Sequence, residues 1–144
     1  MFQRGILTVL SILLLACFPL ISDAMHIIGG EITYECLGAA PNDPNARQYR
    51  FTMKIYRDCQ GNGAFFDSPA SMAIFQGTLS NNMRIASFDA PLLDIEKLVP
   101  DTPNCVNKFP SNVCVEQATY VFTRTLTVLQ SGSYFIIYQR CCRN

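Results

Sequence analysis

Hydrophobic and polar residues alternate with a period of two along most of this chain. Tyr49, Phe51, Met53 and Ile55 alternate with Arg50, Thr52 and Lys54. That is the pattern of a half-buried strand, because successive strand side chains point to opposite faces. Over residues 119–129 one face carries Tyr120, Phe122, Leu126 and Val128, the other Thr119, Thr123, Thr125 and Thr127, β-branched residues that suit a solvated pleated surface. Gln130-Ser131-Gly132-Ser133 reads as a turn, and residues 134–142 as the returning strand of a hairpin. This last strand is apolar on both faces, Tyr134, Ile136 and Tyr138 against Phe135 and Ile137, which predicts a central place with a neighbour on each side. The strand at 119–129 supplies one neighbour. Either an early strand supplies the other or partner strands lie outside this polypeptide, since so apolar an unpaired edge is an aggregation hazard.

Shorter strands are predicted at about 27–36, 71–75 and 84–88. Turn chemistry fills 38–46, with Pro41, Asn42, Asp43 and Pro44, and 60–69, with Gly61, Asn62 and Gly63. Residues 91–112 contain Pro100, Pro103 and Pro110 and read as a long loop with a short helical turn at 92–98. No amphipathic helix, repeat or low-complexity tract is evident. Many strands with turn signals and no helices predict an all-β domain, a β-sandwich of immunoglobulin-like or related type. The sandwich is incomplete if the second neighbour of the last strand is lacking.

The first 24 residues stand apart. Arg4 precedes a mostly apolar run from Gly5 to Leu20, and Ser22-Asp23-Ala24 offers small residues before Met25. This is the layout of a signal peptide, and the run is short for a membrane span, which needs about 20 residues. Cleavage after Ala24 leaves a module of residues 25–144 without a membrane span. Leu14-Leu15-Ala16-Cys17 also resembles a lipobox, although Phe18-Pro19-Leu20-Ile21 continues the apolar run where a polar tether is expected; lipidation at Cys17 and cleavage after Ala24 both stay open.

Export changes the reading of the cysteines. Cys36, Cys59, Cys105, Cys114, Cys141 and Cys142 remain after cleavage, an even number that reads as a disulfide framework. Cys36 with Cys59 is the expected first pair, each lying at the end of a strand in a hairpin. The adjacent Cys141 and Cys142 point to opposite faces and suit two different partners. Zinc is not expected, because neither paired cysteine knuckles nor finger-spaced histidines occur.

With 144 residues, 49% of them hydrophobic and 15% charged, the chain has the apolar material for one folded domain and too little charge for disorder. Eleven basic residues balance eleven acidic ones, and this neutrality gives no electrostatic footprint for nucleic acid.

Candidate chemistry is sparse. His26-Ile27-Ile28-Gly29-Gly30 looks like the activated amino terminus of a chymotrypsin-type protease. The only histidine precedes that motif, however, and no Gly-Asp-Ser-Gly-Gly follows. Asp58-Cys59-Gln60-Gly61-Asn62-Gly63 faintly resembles a calcium loop, but Pro69 stands where a carboxylate is needed. An irregular calcium site using Asp58 and Asp67 is the residual option. Glu31, Glu35 and Glu116 show no pairing that would support acid–base work. No catalytic residue, cofactor or metal is expected.

In order along the chain stand His26-Ile27-Ile28-Gly29-Gly30-Glu31-Ile32-Thr33-Tyr34, Cys36-Leu37-Gly38, Ile55-Tyr56-Arg57-Asp58-Cys59, Pro69-Ala70, Val113-Cys114-Val115-Glu116 and Tyr138-Gln139-Arg140-Cys141-Cys142-Arg143-Asn144. The set resembles the amino-terminal domain of large Bacteroidetes cell-surface proteins, the gliding-motility-associated type with PKD-like repeats. The resemblance implies general secretory export, passage through the type IX system, a role in adhesion, motility or matrix building, and no catalytic residues. Such proteins continue into further β-structure and a sorting domain, so the resemblance also implies that this chain is a truncated product, held in the periplasm if it lacks that domain. The expected function is therefore a non-catalytic surface module with a glycan or protein ligand, its oligomeric state open. A carbohydrate-binding accessory module is the alternative. A small secreted hydrolase stands behind both, for want of a nucleophile and base.

Overall fold

A computed structural model describes residues 27–60, 65–99 and 113–140. They form seven strands: β1 (Ile27–Ala40), β2 (Asp43–Asp58), β3 (Ala70–Gly77), β4 (Asn82–Ala90), β5 (Leu92–Leu98), β6 (Val115–Thr127) and β7 (Ser133–Tyr138). The order β1-β2-β6-β5 makes a four-stranded sheet and β4-β3-β7 a three-stranded one, with every pairing antiparallel. The fold is an all-β sandwich. Its four-plus-three strand count is that of an immunoglobulin constant-type domain, but there the larger sheet runs first, second, fifth, fourth strand. Here the sixth lies beside the second, so the sandwich is of a related kind.

Alternation in β2 and β6 builds the core. Phe51 pairs with Phe122, Met53 with Tyr120 and Ile55 with Ala118, and all six are buried. Ala70, Met72 and Ile74 of β3 close over them from the other sheet. Each large apolar side chain buried this way stabilises the fold by about 1.5–3 kcal/mol. At one end Arg57 is buried against Glu116, with two hydrogen bonds of 2.8 and 2.6 Å, and its guanidinium lies over Phe65 and Phe66. Burial of this charge is tolerated because the pair is satisfied by direct hydrogen bonds.

Four sequence expectations need correction. The strands at 119–129 and 134–142 are not a hairpin. β6 has β2 and β5 on its two edges, while β7 crosses to the other sheet and pairs with β3. The crossing passes through Gly132, whose φ of +89° is one that side chains resist, and a Cβ there would lie 3.1 Å from the Gly77 carbonyl. Among the described residues β7 is accordingly an edge strand, not a central one, and Ile137 on its outer face is 39% exposed. The helical turn expected at 92–98 is the strand β5. A bulge between Leu92 and Asp94 shifts the phase, so that Leu92 and Ile95 face inward together at a spacing that resembles a helix. Residues 38–46 are mostly paired, with Gly38 opposite Gln48 and Ala40 opposite Asp43, leaving a tight turn at Pro41 and Asn42. The proposed leader at 1–24 lies outside the described residues, and no helix among those described is long and apolar enough to cross a membrane.

Candidate functional site

Among the described residues the two sheets differ by one strand, and this mismatch creates a distinctive surface. Phe88 of β4 packs on Phe122 of β6, with ring centroids 5.1 Å apart, while β5 places Leu92 and Ile95 against the core. The third strand of the smaller sheet, β7, meets β2 and the near side of β1, where Ile136 and Tyr138 share a cleft with Met53, Ile55 and Ile32. Among the described residues the rest of the core-facing side of β1 is left open. Gly30, Ile32, Tyr34 and Cys36 pair with Ile55, Met53, Phe51 and Tyr49 and so share the core-facing side of the sheet. Yet Ile32 is 37% and Tyr34 72% exposed, and Cys36 is exposed as well.

Two clefts follow this seam. One, of about 250 Å³, is lined by Ile27, Gly30, Ile32, Ile55, Ile136 and Tyr138, with Arg140 at its mouth. Gly30 is required there, since a Cβ would meet Ile55 Cδ1 at 2.9 Å and the Lys54 carbonyl at 3.0 Å. The other cleft, of about 300 Å³, lies between Tyr34, Tyr49, Phe51, Leu126, Tyr134 and Ile136. Tyr34 stands edge-on to Tyr49 at 6.0 Å. The opposite face of β1 is polar: Glu35 pairs with Arg50 at 3.3 Å, and Tyr56 donates to Glu31 at 3.1 Å. The seam is thus an apolar and aromatic strip on an otherwise polar edge strand.

One end of the seam is fixed by Asp67. Its carboxylate accepts a 2.6 Å hydrogen bond from Tyr138 and lies 3.4 Å from Arg140, while its carbonyl accepts one from Tyr120 at 2.7 Å. Burial, with Asp67 beside it, pushes the Tyr120 phenol up to about 12. The Tyr138 phenol is raised by burial and by its hydrogen bond to Asp67. Asp67 thus ties Tyr120, Tyr138 and Arg140 together. Asp58 accepts a hydrogen bond from the Gln60 backbone at 2.9 Å, and no metal-holding cluster of three His, Cys, Asp or Glu side chains occurs among the described residues. Glu31, Glu35 and Glu116 all take hydrogen bonds from neighbouring strands.

The cysteines fall differently from the sequence expectation. Cys59 is bonded to Cys114, with α-carbons 5.2 Å apart, and Cys36 carries a free, exposed thiol. The reason is register. The last pair of β2 and β6 is Asp58 with Val115, so the next residue outward on each strand is the cysteine, and the Cys59 N–H donates to the Cys114 carbonyl at 3.1 Å. Cys36 is paired with Tyr49, toward the other end of β2. Closing a separation of 55 residues stabilises by about 4 kcal/mol on the chain-entropy account. Cys105, Cys141 and Cys142, like Cys17 and His26, lie outside the described residues.

The seam was not among the residues singled out from the sequence. Its signal was present in Ile32 and Tyr34, which alternate with polar partners as core residues do, but exposure depends on the strand count of the facing sheet. Comparison with family models, curated proteins and solved structures finds no match for the chain.

Proposed function

We propose that the chain is a non-catalytic, exported structural or adhesion module that acts at the outer cell surface, in attachment or gliding motility. The observation that supports this most is the uncovered core-facing side of β1, where Ile32 and Tyr34 stand exposed beside an edge of the facing sheet. An apolar strip with a polar surround is the usual mark of an interaction surface. The Cys59–Cys114 disulfide is compatible with an oxidising compartment. The resemblance to gliding-motility proteins adds the type IX route and the surface location to this reading. Fractionation of cells making the full chain, with protease added to intact cells, tests it. Disulfide-bonded protein in the outer-membrane or surface fraction is expected. Reduced protein in the cytoplasm, or hydrolytic activity of the purified chain lost on a single substitution, would overturn it.

The carbohydrate reading has its own support in the aromatic cleft, where Tyr34, Tyr49 and Tyr134 present rings on which a sugar could stack. Glycan-array binding lost in Tyr34→Ala favours that reading; binding to no glycan removes it.

A further inference from the structure

One end of the sandwich is closed by a run of contacts that begins at the disulfide. Cys59 and Cys114 stand just outside the last pair of β2 and β6, Asp58 with Val115, and the next pair inward is Arg57 with Glu116. The Arg57 guanidinium lies 4.5 Å from the centre of the Phe65 ring and 5.1 Å from that of Phe66, and Phe66 belongs to the buried core. The next residue along the chain is Asp67. Its carbonyl accepts a hydrogen bond from Tyr120 of the larger sheet. Its carboxylate accepts one from Tyr138 and pairs with Arg140, at the end of the smaller sheet. Asp67 thus joins the two sheets at the end where the cystine sits.

β7 is the element this joint holds. It has six residues and, among the described residues, pairs with β3 alone, which places its end among the parts of a fold that open most readily. Without the covalent link the ends of β2 and β6 can fray. Fraying takes Arg57 and Glu116 out of register, and the rings of Phe65 and Phe66 lose the cation beside them. Asp67 then loses the fixed position from which one residue reaches both sheets. Cys59 and Cys114 are both half-buried, so a small thiol can reach the bond.

We propose that the Cys59–Cys114 bond is a redox-controlled clasp. When it is formed, Asp67 locks the end of β7 onto the larger sheet; when it is reduced, that end is released while the rest of the sandwich stays folded. Opening takes two electrons from a dithiol reductant. The sulfur–sulfur bond breaks, each sulfur gains a proton, and the reductant leaves as its own disulfide. The biological use of the clasp rests on the exported reading above, since export carries the chain from a reducing to an oxidising compartment. The sandwich then closes at this end only after it has left the cytoplasm.

The test uses the purified full chain with ring-labelled tyrosine, read by nuclear magnetic resonance at neutral pH as hydroxyl exchange with water. Tyr138 and Tyr120 donate to Asp67 at 2.6 and 2.7 Å, whereas Tyr134 donates to the Thr127 carbonyl at 2.9 Å, at the opposite end of the sandwich. Reduction with dithiothreitol should speed exchange at Tyr138 and Tyr120 by about tenfold or more and leave Tyr134 unchanged. Cys59→Ser combined with Cys114→Ser should show the same signature without reductant and no further response to it, which separates this bond from any other cystine. Peptide mapping along the reductant titration is the second check, because exchange at Tyr138 should follow loss of the Cys59–Cys114 peptide. Four outcomes overturn the clasp: unchanged exchange at Tyr138 once the bond is gone, an equal gain at all three hydroxyls, a response to reductant that persists in the serine variant, or unfolding of the whole chain on reduction. Each leaves the surface-module reading intact, since that reading fails on localisation instead.

Discussion

At the scale of single residues, burial divides side chains that look alike in the sequence. Met53 is fully buried and Tyr34 is 72% exposed, although both sit on the same face of one sheet. Met53→Ala should cost about 2–5 kcal/mol, whereas Tyr34→Ala should change stability by less than about 0.5 kcal/mol, with urea denaturation as the measurement. Tyr120 and Tyr138 give a second contrast. Tyr120 is raised from 10.0 to about 12 in the fold, by burial first and Asp67 next. A raised phenol favours the folded state in full below the unfolded value of 10.0, and that contribution is lost as pH climbs from 10.0 toward about 12. The melting temperature should therefore hold up to the onset of ordinary tyrosine ionisation and fall above it. Ultraviolet titration of the folded protein should show two phenols ionising later than the rest; all six tyrosines ionising together would contradict the buried Asp67 cluster.

At the scale of elements, what decided each outcome was whether the relevant force was local. The alternation of Tyr49 through Ile55 states its own strand, and β2 forms there. The partner of a strand is not local: 119–127 carries the same two-faced pattern whether it pairs with β7 or with β2. The choice is made by the sixteen-residue length of β2 and by Gly132, which carries the chain across to the other sheet. Leu92 and Ile95 were misleading because a bulge imitates helical spacing. The disulfide was hidden for the same reason as the hairpin partner, since Cys59 and Cys114 become neighbours only once β2 and β6 are in register. Gly132 makes the crossing testable. Gly132→Ala puts a side chain at positive φ against the Gly77 carbonyl and should destabilise by about 1–3 kcal/mol. A neutral result would mean that β7 does not enter its sheet by this route.

At the scale of the whole molecule, four strands facing three among the described residues leave one edge strand overhanging. Its exposed inner face and the free edge of β7 follow from that single count. The cross-link at Cys59–Cys114 ties together the two long central strands of the larger sheet and leaves the overhang free to act. Peptide mapping without reduction should recover Cys59 linked to Cys114, with Cys36 alkylated; a Cys36–Cys59 peptide would require a different register between β1 and β2.

The most direct measurement is amide exchange by nuclear magnetic resonance on the full chain alone, resolved residue by residue along β3 and β7. Amides of Ile74 and its neighbours in β3, bonded on both sides, should exchange slowly throughout. Those of Ser133–Tyr138 should alternate, slow where they bond to β3 and fast where they face the seam. Uniform protection along β7 would mean that a strand already lies beside it, and the uncovered seam would not exist.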